Sequence, residues 1–451
     1  MQKSKLGKNL VFNLTLFGLV GQIAWAVENI YFNTFLFNYI GGTTKDISRM
    51  VALSAVTAVV TTFFMGTLSD KLNRRKSFIA GGYIFWGLTV MVFALISREN
   101  IAKLFNLSQD AKIVAATVSV VILMDCLMTF MGSTSNDAAF NAWITDVTVP
   151  ENRGKTEGLL SVFPILGTVL VMVGFGALEG SLGYPACFLG LGALMALCGL
   201  TGLFSVKDSR AGMTQSVNYW EGLVQGFRPA TIKENAPLYW TFVASGITGI
   251  SLQVFFPYIF IYLQHYIGLD LNNVAEGLEI KPGTIVIAVA ALALIIGGAV
   301  GIGALMDRLG KQAFIFPCAA LMILALAAAF FARNLLSFGL LALLVIAGNS
   351  VLGMIIGATM RDFTPEDKAG QFQGVRMIFF VLLPMVIGPY IGNGVIERFA
   401  ARHDMGTYLN EFDELVNVPV PEIFLAAAAV GLLLFIPLVF VRKYVKQRAG
   451  R

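Results

Sequence analysis

Two carboxylates stand deep inside apolar stretches of the chain, Glu28 and Asp125. An ionised side chain at mid-membrane depth costs about 2.5–3.5 kcal/mol on insertion scales, so such a residue is a functional candidate from the outset. Around Glu28, Trp25 and Asn29 recur at helical spacing on one side, and Gln22 and Asn33 extend the polar surface. An acid beside an aromatic platform suits a sugar or a cation. Asp125 heads a second polar face with Thr129, Gly132, Ser133 and Asn136, and Asp137 and Asn141 lie a little to its side. A buried acid that takes and releases a proton can cross between membrane faces as a neutral group. Both acids are therefore expected to line a central cavity, with at least one coupling movement of a small molecule to a proton.

Other intramembrane polar groups have weaker claims. Arg376 either snorkels to the interface or meets a carboxylate of another helix as a gate. Gln253, Tyr258 and Tyr262, and further on Asn349 and Ser350, are candidate contacts that also serve well as helix–helix glue. Pro164, Pro257, Pro384 and Pro389 fall inside apolar runs, where each removes a helical hydrogen bond and favours a kink. Two histidines and four cysteines, all four inside apolar runs, match no metal motif and no disulfide framework. No HExxH pattern or phosphate loop supports an enzyme. No cofactor is expected. The coupling ion is expected to be a proton, with sodium the alternative.

The loops between apolar runs carry a repeat. Gly66, Asp70, Lys71, Asn73, Arg74, Arg75 and Lys76 recur in spacing as Gly303, Asp307, Arg308, Gly310 and Lys311. A second pair repeats as well. Asp146 precedes glycines by eight and twelve positions, at Gly154 and Gly158, and Asp362 does the same with Gly370 and Gly374. Arg153 and Lys368 stand near the middle of each copy. Topology alone would need the bases but not Gly and Asp at fixed spacing twice.

The elements that hold these residues are membrane helices. Hydrophobic residues make up 57% of the 451 and charged residues 13%, about half the charged share of a soluble domain. Apolar runs of about 20 residues, enough to cross roughly 30 Å of hydrocarbon, recur at 10–38, 49–69, 77–97, 113–140, 156–178, 184–206, 237–266, 283–306, 313–332, 336–360, 372–396 and 422–441. They are numbered spans 1 to 12. The 46 glycines suit close helix packing in lipid. The first run is too long for a signal segment and is expected to stay as span 1. Lysines and arginines concentrate at both termini and in alternate loops, which places the termini in the cytoplasm of an inner-membrane protein. The net charge of +5 follows from that bias and does not call for nucleic acid.

The expected fold is an all-α membrane protein of twelve helices in two pseudo-symmetric six-helix bundles, 1–206 and 237–451. They are joined by a cytoplasmic linker, 207–236, in which Trp220, Leu223, Val224 and Phe227 outline a short amphipathic helix. The stretch 398–421 is expected as an ordered or semi-ordered outer loop. A monomer in the lipid bilayer, with a small-molecule substrate, is the expected working form.

The loop Gly66–Lys76, with its second copy, resembles the signature loop of the major facilitator superfamily, and the twelve-span layout extends that resemblance over the chain. The resemblance implies that the loop acids and bases form a cytoplasmic charge network favouring the outward-facing state, to which Asp146, Arg153 and Asp362 belong. Gly21–Asn29 and the run Lys233–Pro237 also resemble the glycoside–pentoside–hexuronide cation symporters, which implies sugar-like substrates. Span 2 lacks the acids that branch uses for its cation, which turns the expectation toward a proton. Rival readings are an efflux antiporter for amphipathic compounds, in keeping with 36 phenylalanines, and a lysolipid transporter.

Overall fold

A computed structural model describes residues 7–72, 74–148, 150–207, 224, 226–268, 311–364, 369–410 and 412–449. The described chain is helical apart from one short hairpin. In order, α1 is Lys8–Tyr39, α2 Thr44–Leu72, α3 Arg75–Val92, α4 Arg98–Phe105, α5 Asp110–Val147, α6 Pro150–Leu170 and α7 Gly176–Ser205. Then follow α8 Pro229–Glu234, α9 Ala236–Tyr266, α10 Lys311–Ala329 and α11 Leu335–Phe363. Next, α12 runs from Ala369–Met377 through Ile378–Leu382 into Leu383–Phe399, and α13 is Glu422–Gln447. Nine helices among the described residues are long and apolar enough to cross a membrane. Helices α6 and α10 fill the places of spans 5 and 9, while span 8 lies outside the described residues. The chain falls into two compact units, 1–218 with 410–412, and 219–409 with 413–451.

In the first unit, α3 and α7 cross where Gly87 meets Gly192 and where Gly199 meets Ala80, so close that a side chain would strike the facing backbone. Small residues at such crossings let dispersion contacts replace the hydrophobic drive that lipid lacks. Between these helices and α1 lies an aromatic core: Phe32 is 4.4 Å from Phe93 and 5.2 Å from Phe188, ring centre to ring centre. In the second unit, Tyr262 packs on Tyr266, Phe338 and Phe424 at 5.1–5.7 Å.

Several local features depart from the sequence reading, each for a physical reason. The connection after span 3 contains α4, which Ser97 starts by accepting from the Asn100 amide and Asn106 ends in the left-handed conformation. Pro257 breaks α9 outright: the α-helix stops at Gln253, and Phe256–Tyr258 forms a tighter turn. The outer stretch folds into an antiparallel hairpin, β1 Thr407–Leu409 against β2 Leu415–Asn417. Of the proposed amphipathic helix, Trp220 and Leu223 lie outside the described residues, and α8 next to it buries no side chain. Stretches of π-helix interrupt α1 at Glu28–Phe32 and Phe35–Tyr39, and α5 at Ser133–Phe140. Another, Val171–Phe175, carries α6 on into the first residues of α7, and the helix is broken further on at Gly183, whose φ is 75°. Such stretches place an extra residue in a turn and occur often at functional sites.

Candidate functional site

The first unit stacks its polar and aromatic groups in levels where α1 passes α2, α3 and α5. At the lowest level the Tyr83 hydroxyl donates to the Phe17 carbonyl at 2.6 Å and accepts from the Asn136 amide, also at 2.6 Å. Gly21 makes this possible, since any side chain there would collide with Asn136 and Tyr83. One turn further along α1, Trp25 meets Trp86 at 5.0 Å, and Gly132 of α5 leaves room for both indoles.

The next level holds the acids. Glu28 is 8% exposed and Asp125 1%. Ser54 of α2, 3% exposed, donates to Glu28 Oε1 at 2.8 Å and shares a hydrogen bond of 2.7 Å with the Thr129 hydroxyl. Thr129 is also 3.2 Å from Glu28 Oε1. Glu28 Oε2 and Asp125 Oδ1 have no partner. The two acids thus share one buried cluster in the seam between α1, α2 and α5. The sequence reading put them on an open cavity; the structure encloses them. Hydroxyls of the neighbouring helices supply the hydrogen bonds that water would have given, which a carboxyl at this depth requires.

A hydroxyl donates one hydrogen bond and accepts two. Ser54 and Thr129 both reach Glu28 Oε1, whereas Glu28 Oε2 and Asp125 Oδ1 have no donor. Two ionised acids so placed would stand as like charges in a dry seam.

The other sequence candidates scatter. Asn29 and Asn33 bond back to carbonyls of their own helix, Trp25 at 2.7 Å and Asn29 at 2.8 Å. Gln22 lies against Gly167 of α6. Asn136, read as part of the Asp125 face, belongs to the Tyr83 level, because the π-helical stretch from Ser133 turns it away. Asp137 accepts from Ser133 at 2.9 Å. In the second unit, Tyr258 is fully buried and donates to the Pro389 carbonyl at 2.7 Å. Gln253 packs against Gly388 with its Oε1 unpartnered, and Asn349 is half-buried on α11. Arg376 is exposed and lies over the Phe380 ring at 5.0 Å.

At the loop motif, Gly66 accepts from the Ser69 hydroxyl at 3.0 Å. Arg75 holds the group together: its Nη1 donates to Ser69 at 2.6 Å and its Nε to Asp146 Oδ2 at 3.1 Å. This charge pair ties the start of α3 to the ends of α2 and α5 inside one unit. Lys71 and Arg74 are exposed, Lys76 is half-buried and Asp362 is exposed in the second unit. The side chains of Asp70 and Arg153 lie outside what is described, as do Gly303, Asp307 and Arg308 altogether. Ser54 was missed in the sequence. Its signal, a hydroxyl in a span facing two acidic spans, is shared by every serine and threonine of span 2. No cluster of three or more His, Cys, Asp or Glu able to hold a metal ion occurs among the described residues.

Comparisons with known proteins agree with this architecture. Residues 14–389 match the Major Facilitator Superfamily. The nucleoside transporter NupG superposes with a TM-score of 0.65 at 14% identity, over 96% of this chain and 99% of its own. A bacterial homologue of the lysosomal transporter Spinster, in an inward-facing, unoccupied conformation, gives 0.62 at 13%, over 97% of each chain. Multidrug resistance protein 2 of Bacillus subtilis (strain 168) is 21% identical over 277 residues. That match spans 60% of this chain and 60% of the relative's length. With the family matched across most of the sequence and the fold shared end to end with solved transporters, the chain belongs to the Major Facilitator Superfamily of membrane transporters.

Proposed function

We propose that the protein is a proton-coupled secondary transporter of a small polar metabolite, working by alternating access between two six-helix bundles. The observation that supports this reading is the seam cluster, in which Glu28 and Asp125 are buried together beside Ser54 and Thr129, each acid keeping one oxygen without a donor. Loading the proton keeps the seam shut at low electrostatic cost; losing it leaves two like charges in a dry site and favours opening. Sodium coupling fits less well, because a sodium site needs several oxygens and span 2 brings only hydroxyls. Sugars and glycosides are the first substrates to test, on the likeness of Gly21–Asn29 to the glycoside–pentoside–hexuronide symporters. The loops at Arg75 and Asp307 act as the cytoplasmic gate, both termini are cytoplasmic, and the location is the inner membrane.

The test is uptake into proteoliposomes with an imposed pH gradient. Glu28→Gln and Asp125→Asn should lose gradient-driven accumulation while keeping downhill exchange. Accumulation equal to the parent in both variants would falsify the coupling role. A second reading, efflux of amphipathic compounds, is favoured by the multidrug-resistance relative. It predicts drug-stimulated proton release with no sugar uptake in the same vesicles.

A further inference from the structure

The hairpin β1–β2 carries a turn that folds apart from its own strands. Residues 410–412 belong to the first unit, whereas Thr407–Leu409 and Leu415–Asn417 belong to the second. The strands fix each other in register, with Leu409 opposite Leu415. Those two leucines are 63% and 70% exposed, so the strands present the turn without burying it. Asn410, one residue on, is only 6% exposed.

What receives the turn is the end of α1 with the start of α4. The Asn410 side-chain oxygen accepts from the Phe412 amide at 3.0 Å, a local bond that shapes the turn. Arg98, the first residue of α4, is half-buried, and its guanidinium carbon lies 3.4 Å from the centre of the Phe412 ring. Arg98 Nε donates to the Ile40 carbonyl at 2.7 Å. Ile40 caps the end of α1, where the last carbonyls have no donor within the helix and a cation suits the dipole. Gly41 follows with φ 75°, and a Cβ there would strike the Arg98 guanidinium and crowd Asn410. The seat therefore needs the glycine that stands in it.

A cation over an aromatic face is held by the quadrupole of the ring, more strongly as water is excluded. Such a contact can be undone without unfolding its neighbours. The strands keep their own pairing, and Ser97 keeps the start of α4.

We propose that the hairpin is a strap whose turn seats on Arg98 in this conformation and lifts off it in another. Seated, one guanidinium serves both the turn and the end of α1, the helix that bears Glu28; released, it serves α1 alone. The strap requires neither a coupling ion nor a substrate, so its failure leaves the transport reading untouched.

The experiment is hydrogen–deuterium exchange of the purified full-length protein in detergent, read on peptides covering 404–418. In the parent the turn should exchange slowly but completely, the mark of a seat that opens. Arg98→Ala should speed exchange there about tenfold, the change that about 1.4 kcal/mol makes. Phe412→Leu, which stays apolar but has no ring face, should match Arg98→Ala. Phe412→Trp should keep the protection of the parent. Peptides of α3 and α5 should exchange alike in every variant, which separates release from unfolding. Should Arg98→Ala fail to fold, Phe412→Leu and Phe412→Trp decide the matter between them. Unchanged exchange in Arg98→Ala or Phe412→Leu, an equal rise in Phe412→Trp, or a parent turn that never exchanges each overturns the proposal.

Discussion

The Ser54 hydroxyl lies 2.8 Å from Glu28 Oε1, on a helix that brings no acid of its own to that depth. It ties α2 to α1 and, through Thr129, to α5. Ser54→Ala should lower stability by about 1–3 kcal/mol, because it leaves a buried acceptor short of a donor. Thermal unfolding in detergent measures this, and an unchanged midpoint would mean that the hydroxyl contributes nothing.

Glu28 and Asp125 should not behave as independent sites. Each substitution disturbs the one cluster that Ser54 and Thr129 join, so the second has less left to disturb. A double-mutant cycle of Glu28→Gln and Asp125→Asn should show an interaction of about 0.5–3 kcal/mol in stability. In the proposed coupling, raising the pH on both membrane faces leaves less proton to load, so exchange by the parent should slow as pH rises. Glu28→Gln should flatten that profile. Additive effects and parallel pH profiles would separate the two acids.

Arg75 meets Ser69 and Asp146 through different nitrogens of one guanidinium. Arg75→Ala should cost about 1–3 kcal/mol, since both partners lose a charged donor. Arg75→Lys should recover only part of this, as an ammonium cannot reproduce the planar two-point geometry. For the proposed gate, Asp70→Asn should shift the conformational balance inward, read by thiol accessibility, with substrate affinity in a state-locked form little changed. A collapse of that affinity would remove Asp70 from the gate.

His403 joins Glu422 at 2.8 Å and Tyr266 at 3.3 Å in the second unit. His403→Ala should lower stability by about 0.5–1.5 kcal/mol, the net worth of an ordinary hydrogen bond. Combined with Ser54→Ala in the other unit, the losses should add within about 0.5 kcal/mol, because the sites share no partner. A larger deviation in the melting data would reveal coupling between the units.

Asp70 and Asp307 should be reached from the same membrane face if the two loops are parallel repeats. Asp70→Cys and Asp307→Cys, each in a background lacking Cys126, Cys187, Cys198 and Cys318, should both label with an impermeant thiol reagent in inside-out vesicles. Labelling from opposite faces would end the repeat reading.

The spans were legible because membrane crossing depends on composition over about 20 residues, which the sequence displays directly. Glu28 and Asp125 stood out for the same reason. Ser54 did not, since most hydroxyls in these helices bond to the carbonyl four residues back, as Thr57 does to Leu53 and Thr62 to Ala58. Only packing distinguishes Ser54 from them. Asn29 and Asn33 had the right spacing for a ligand surface, but an amide that reaches its own backbone needs no ligand. The start and stop of α4 were present in Ser97 and Asn106 and follow from capping chemistry alone.

The π-helical stretch Ser133–Phe140 also sets the phase of α5. Upstream of it stand Asp125 and Thr129 in the seam; downstream stands Asp146, held by Arg75. Each surplus residue in a helix turns everything beyond it by about 100°. The two ends of α5 are therefore angularly independent, and a wheel drawn for the whole helix misplaces one of them. Deleting a residue between Ser133 and Phe140 would rotate Asp146 away from Arg75 while leaving the acid seam in register, so a single codon decides how the Arg75 pair is clocked to the two acids.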